Sequence, residues 1–237
     1  IMALPIQKAP KYTCVLPISG IEVRYRPFLM KEQSHMMLTR ESEDPKEIFT
    51  TTKELVKAVT DGKVDASKLP MTDLEYLFLQ IRIKSVGETA KIPWRCKTET
   101  CDNVVISEVD LESIEVDTSE MQDNKIQISD ELIVELSPPT SKLMASIDLE
   151  KDNELDLIKP ILRNSMVRLY DEENVYEMAD HRDSEIDEFI ESLSMQQFEK
   201  ISEWFQSIPV VLYEEEYTCP KCKESHTGKV QGIQNFF

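Results

Sequence analysis

Four of the five cysteines in this 237-residue chain stand in pairs whose spacing suits metal chemistry. Cys96 and Cys101 occur as CKTETC, and Cys219 and Cys222 as CPKC near the end. A pair of thiolates on a tight turn offers half of a tetrahedral zinc site, and two such turns complete it. Cys96, Cys101, Cys219 and Cys222 are therefore the expected ligands of one structural Zn2+, and four thiolates leave no coordination position open for catalysis. Two other readings fit the same residues: free buried thiols with a chance Cys-x-x-Cys, and a thioredoxin-like redox pair. The redox reading is weakened because CPKC follows a late strand, with no helix after it and no surrounding βαβ pattern. His226 could replace one thiolate, or it could stand exposed on a hairpin. Neither cysteine pair is followed by the glycine that usually relaxes such a turn. Asp102 and Lys223 stand there, and aspartate tolerates a left-handed backbone better than lysine. Cys14 reads as a small apolar residue of the first strand.

Little else in the sequence is arranged for chemistry. Five glycines include no phosphate-cradling spacing, the three histidines (35, 181 and 226) are scattered, and neither GxSxG nor HExxH occurs. Cys14 with a distant histidine carries no sign of activation, and Asp180-His181-Arg182-Asp183 reads as a solvated helix start. No catalytic residue is expected, and the chain does not read as an enzyme.

The elements that must position the cysteines follow from periodicity. Strands over Thr13–Ile18 and Ile21–Pro27 flank a tight Ser19-Gly20 turn. Phe28–Arg40 reads as helical, with Met30, Met36 and Met37 as core filler. Asp44-Pro45 caps a second helix, whose apolar positions Ile48, Thr52, Leu55 and Val59 run to a stop at Gly62. Thr72 and Glu75 form a capping-box pattern ahead of a helix apolar on nearly every face, which ends at Gly87. From Thr89 to Leu136 the period changes to two, with strands expected at Lys91–Trp94, Asn103–Val109, Ile114–Val116, Lys125–Ile128 and Leu132–Leu136. Helices at Ser141–Ile147 and Glu154–Ile161 are joined by the charged stretch 148–153, and a hairpin turns at Asp171–Asn174. Two amphipathic helices follow, one striped by Ile186, Phe189, Ile190 and Leu193. Ser194-x-x-Gln197 caps the other, which carries Phe198, Ile201, Phe205 and Ile208. Strand 210–218 leads to CPKC, and Lys229–Ile233 pairs back beside it.

The fold class is thus α+β: helical subdomains with short antiparallel sheets, and two zinc-knuckle hairpins joined by one four-cysteine site. The expected segments are 1–88 (hairpin and helices), 89–137 (β-rich, first knuckle), 138–209 (helical with a hairpin) and 210–237 (second knuckle). The last is expected to form one unit with 89–137.

Composition narrows the partners. Twenty-seven basic against forty-five acidic residues give a net charge of −18, which argues against nucleic acid and anionic membranes. No apolar run reaches the ~20 residues that span a bilayer, and residues 1–10 lack the marks of a secretory signal. Cysteines in metal-like spacing fit a reducing compartment, so the cytoplasm is expected.

LPMTDLEYLFLQIRIKSVGE at Leu69–Glu88, with YRPFLMKEQ ahead of it, resembles the baseplate hub assembly proteins of T-even-like contractile-tailed bacteriophages. FIESLSMQQFEKISEWF at 189–205, CPKC and the closing GIQNFF extend the resemblance over roughly 24–237. The resemblance implies a non-catalytic protein of the host cytoplasm or of the virion baseplate. It would bind other hub and tail proteins during tail morphogenesis, as a chaperone or a minor hub component. Two readings stand for the apolar residues of the two late helices, Trp204 among them, and for the terminal Phe236-Phe237: a contact surface for such partners, or burial in the core. The alternative function is a zinc-ribbon, transcription-associated factor that binds nucleic acid. It would require a basic patch that Lys221, Lys223 and Lys229 do not make against Glu214–Glu216 and Glu224.

Overall fold

The computed structural model describes residues 9–34, 45–147 and 154–231. In chain order the elements are β1 (Tyr12–Val15), β2 (Glu22–Tyr25), α1 (Pro45–Val59), α2 (Met71–Val86), β3 (Thr89–Arg95), β4 (Val104–Asp110), β5 (Lys125–Gln127), β6 (Ile133–Leu136), α3 (Ser141–Ser146), α4 (Glu154–Ser165), β7 (Met166–Tyr170), β8 (Val175–Glu177), α5 (Asp183–Ser192), α6 (Met195–Gln206), β9 (Leu212–Thr218) and β10 (Ser225–Gln231). The α+β class holds, and every sheet pairing is antiparallel. Asp44, His35, Met36, Met37, the connector 148–153 and Phe236-Phe237 lie outside the described residues.

The chain divides into two compact units, the first comprising 1–66, 72–116 and 210–237. In it, β1 and β2 pair with Val15 opposite Glu22, so six residues connect them instead of the expected two. Gly20 makes that wider turn possible by adopting φ +67°. A helical turn covers 30–34 of the expected first helix. Met30 is no core filler there: it is 77% exposed, and Phe28 just ahead occupies the buried position.

Helix α2 is the buried one, as its all-round apolar sequence requires, with Leu77, Leu79 and Ile81 fully enclosed. It starts at Met71, so Thr72 sits inside the first turn and cannot be the cap of a capping box. Asp73 is what that first turn uses: its carboxylate accepts the Ile18 and Ser19 amides at 2.8 and 3.0 Å. At the other end Arg82 donates to the Gly87 and Thr89 carbonyls, which satisfies chain leaving a helix terminus.

Burial pushes the Glu75 carboxyl up from its ordinary 4.5 to about 7. Below pH 4.5 the carboxyl is protonated folded or unfolded and costs nothing. Between 4.5 and 7 only the native state holds the proton, so stability falls as pH rises, and above 7 the loss is constant. Glu75→Gln is expected to remove this slope and to raise stability at pH 8 by about 2 kcal/mol, read from urea unfolding across pH.

Strands β3 and β4 form one hairpin, and β9 and β10 another. Their inner residues Ala90, Ile92, Trp94, Val109, Tyr217 and Val230 pack with Leu79 and Ile83 into one core. The expected strand at Ile114–Val116 is absent. After β4 the chain turns into a 3-10 helix at Leu111–Ser113, started by Asp110, whose side chain accepts the Glu112 amide.

The second unit comprises 67–71 and 117–209. Beyond the helices expected of it, it holds a four-stranded sheet ordered β5-β6-β7-β8. Strands β5 and β6 therefore belong with β7, and β3 and β4 with the first unit. One sheet face places Ile126, Val134, Leu169 and Tyr176 in register. The next register row alternates in charge across all four strands: Lys125, Glu135, Arg168, Glu177. Arg168 bridges Glu177 at 2.6 Å and Glu135 at 3.3 Å, and Tyr170 donates its hydroxyl to Glu135. The core of this unit gathers Val134, Leu136, Leu162, Ile186, Ile190, Ile201 and Trp204. Trp204 is 0% exposed, which removes it from any contact surface. The capping box of α6 forms as expected, with Gln197 N donating to Ser194 Oγ and Ser194 N to Gln197 Oε1.

Candidate metal centre

The two cysteine pairs occupy the turns of the two hairpins of the first unit. Cys96 follows β3 directly, and its amide donates to the Asn103 carbonyl at 2.9 Å, while Cys101 N donates to Thr98 O at 2.9 Å. Across the other turn Cys219 N donates to Glu224 O, and Lys223 N to Cys219 O, both at 2.9 Å. The tight Cys-x-x-Cys turn needs a left-handed residue just after it, and Lys223 supplies it at φ +66°. The wider Cys-x4-Cys turn makes no such demand, since Asp102 is not among the positive-φ residues. Lys223→Gly is expected to relieve this strain and raise thermal stability by about 0.5–1 kcal/mol. A lowered melting temperature would contradict that.

Packing brings the turns together. Trp94 stacks on Tyr217 with ring centroids 5.9 Å apart and planes 12° from parallel. Its indole Nε1 donates to Glu215 at 3.2 Å, and the Tyr217 hydroxyl donates to Arg95 O at 2.8 Å. Lys221 on the second turn reaches Asp102 on the first at 2.6 Å.

At the closed end the sulfurs of Cys96, Cys101, Cys219 and Cys222 all lie within 4.8 Å of one another. Cys96 to Cys222 is 3.6 Å, and Cys101 to Cys219 is 3.8 Å. Four sulfurs each about 2.3 Å from a central ion are about 3.8 Å apart along the tetrahedron's edges, so the spacing fits a thiolate-bound ion. All four cysteines are free, three of them buried and Cys222 half-buried. The arrangement can hold one soft or borderline metal ion among four sulfurs.

The surrounding dipoles prepare the sulfurs for ionisation. Hydrogen bonds from the Cys222 and Lys221 amides bring the Cys219 thiol down to about 6, and the Thr98 amide lowers Cys96. Cys101 stands at about 11: the Asn103 amide lowers it, but desolvation and the three neighbouring thiols outweigh that. A cation at the centre would replace this mutual repulsion by attraction, so binding an ion and losing protons are one event.

Three polar groups touch the sulfurs, and only His226 among them stands out in the sequence as a candidate neighbour. Asn103 Nδ2 lies 3.6 Å from Cys219 Sγ, Thr98 Oγ1 3.7 Å from Cys222 Sγ, and His226 Nε2 3.2 Å from Cys96 Sγ. His226 is thus neither a remote exposed residue nor a member of the four-sulfur cluster. With the Nε2–H tautomer it donates to the cysteine sulfur, the outer-shell contact that commonly orients a metal ligand. In metal-loaded protein, His226→Ala is expected to leave the ion bound but to speed its extraction by a chelator about tenfold. An altered Co2+ ligand-field spectrum in that variant would instead make His226 a ligand.

Cys14 takes no part in the cluster; its thiol is pushed up to about 11 by burial and by Asp73. Asp180, His181, Arg182 and Asp183 lie at the start of α5, where the Arg182 amide donates to Glu185 Oε2 at 3.0 Å. No described helix is long and apolar enough to cross a membrane. A family model described as T4 bacteriophage base plate protein matches residues 9–237. Comparison with curated proteins and with solved structures gives no significant match.

Proposed function

The chain belongs to the T4 bacteriophage base plate protein family, and from that premise we propose that it is a non-catalytic assembly factor of the baseplate hub. It acts by binding other hub and tail proteins in the host cytoplasm, as a chaperone or as a minor component retained in the virion baseplate. The single observation that carries this reading is the family match over nearly the whole chain.

The four-sulfur cluster supports a scaffold in preference to a reactive centre. We assign it a structural Zn2+, since a closed set of four thiolates suits that ion and leaves no site for substrate or activated water. Zinc there would join two hairpins that are distant in sequence and limit the ways the first unit can deform. The charge of −18 keeps such a scaffold soluble and favours encounter with basic protein surfaces.

Affinity purification of the tagged protein from infected cells, read by mass spectrometry, tests the proposal. Recovery of hub or tail proteins at stoichiometric levels is the expected result, and their absence would overturn it. Probing purified virions then separates the two forms, since a chaperone is missing from them and a hub component is present.

A further inference from the structure

Within the second unit, β7, β8 and α5 line a small, surface-open apolar pocket of about 150 Å³. Leu169, Ile186 and Phe189 contribute apolar walls, Tyr176 and Met178 line it from the β8 side, and His181 and Glu185 add polar groups. An apolar cavity near this size takes up a benzene-sized group. The chain around it is unusually acidic. Residues 171–191 hold ten carboxylates against one arginine, which gives nine of the chain's 18 net negative charges. Partners outside this stretch offset some of them: Arg163 meets Asp183 at 2.8 Å and Asp187 at 3.6 Å, and Lys159 meets Glu191. Arg182 beside Glu185 holds that carboxyl down at about 2, so it is ionised at any working pH. Glu172, Glu173, Asp180 and Glu188 are exposed, and among the described residues no ion pair involves them.

We infer that this pocket is a docking socket for a basic segment of a partner protein: one phenylalanine- or leucine-sized side chain enters the cavity, and flanking lysines or arginines meet the surrounding carboxylates. The apolar walls select the anchor, because burying such a side chain there takes its apolar surface out of water. The concentrated negative charge selects its neighbours and speeds encounter, and it would repel an acidic segment. This inference deepens the assembly-factor reading and rests on it, since it names a face and a partner chemistry for the same binding role.

The test uses the full chain, labelled with nitrogen-15, and three short peptides: Lys-Lys-Phe-Lys-Lys, Lys-Lys-Ser-Lys-Lys and Glu-Glu-Phe-Glu-Glu. The first is expected to bind saturably, shifting amide signals at Leu169, Tyr176, Ile186 and Phe189. The serine peptide should bind about tenfold more weakly, the acidic peptide should not bind, and salt of about 0.5 M should weaken the first peptide. Asp180→Asn with Glu188→Gln should weaken it several-fold without changing the melting temperature. Equal binding of the serine peptide, equal binding of the acidic peptide, shifts mapping elsewhere, or no binding at millimolar peptide would each overturn the socket. A failed socket with hub proteins still recovered from infected cells leaves the assembly role standing. A working socket without such recovery would contradict the assembly role alone.

Discussion

Replacing Cys219 and Cys222 together with serine is expected to abolish metal retention and to destabilise the first unit by about 5 kcal/mol. The magnitude follows from two considerations. Four-thiolate and related zinc sites in isolated fingers contribute about 10–16 kcal/mol, which there amounts to the whole folding free energy. Here the hairpins are already held by Trp94, Tyr217 and the core around Leu79, so part of the structure survives without the ion. What is lost is the clip at the turn end of both hairpins, together with closure of the long chain between Cys101 and Cys219. Cys14→Ser is the control: that thiol is outside the cluster, and its loss should leave metal content unchanged. Acid should mimic the double serine variant, since each thiol must lose its proton to bind the ion and acid returns it. An unaltered melting temperature and metal content in the double variant would contradict the ligand assignment.

Gly228→Ala is expected to cost about 3 kcal/mol although it adds a single methyl group. A Cβ at position 228 would lie 2.5 Å from Trp94 Cε3 and 2.6 Å from Cζ3, inside any tolerable contact. The indole cannot swing aside without leaving its stack on Tyr217 and its hydrogen bond to Glu215. The strand backbone is fixed as well, because Gly228 pairs with Glu215 in the β9–β10 ladder. Overpacking between two fixed partners costs about 1–3 kcal/mol, and this contact belongs at the upper end. Trp94→Leu alone should also destabilise, by about 2–3 kcal/mol, through the cavity it leaves. The double variant should then be more stable than the sum of the single effects predicts, with at least about 1 kcal/mol of coupling in urea unfolding. Strict additivity would show that the close approach is relieved in some other way.

Local chemistry wrote much of this fold plainly into the chain. The period of two in TAKIPWR gives β3, Gly62 lies just past the end of α1, and Ser194 with Gln197 marks the start of α6. The four cysteines were legible because ligand type and spacing are local properties of a turn. Pairings were less so. Strands β5 and β6 have the same alternation as β3 and β4, and nothing local says that their neighbour is β7. The α6 stripe drawn through Phe198, Ile201, Phe205 and Ile208 left out Trp204, yet Ile201 and Trp204 are three apart and form the buried face. Gly228 stood just ahead of the strand expected from Lys229; β10 in fact starts at Ser225, which puts the glycine inside the strand, against a Trp94 that lies far earlier in the chain. His226 could be singled out as a possible ligand. Its contact with Cys96, and those of Thr98 and Asn103 with other sulfurs, depended on how two hairpins pack. Thr72 misled because the helix begins two residues sooner than a cap there would place it, at Met71, which turns an apparent cap into a buried first-turn residue.

The most direct measurement is X-ray absorption at the zinc edge on protein purified under reducing conditions, combined with elemental analysis. One zinc per chain, surrounded by four sulfurs at about 2.3 Å, is the predicted result. Protein that keeps its fold with no bound metal, or a first shell containing nitrogen or oxygen in place of a sulfur, would contradict it.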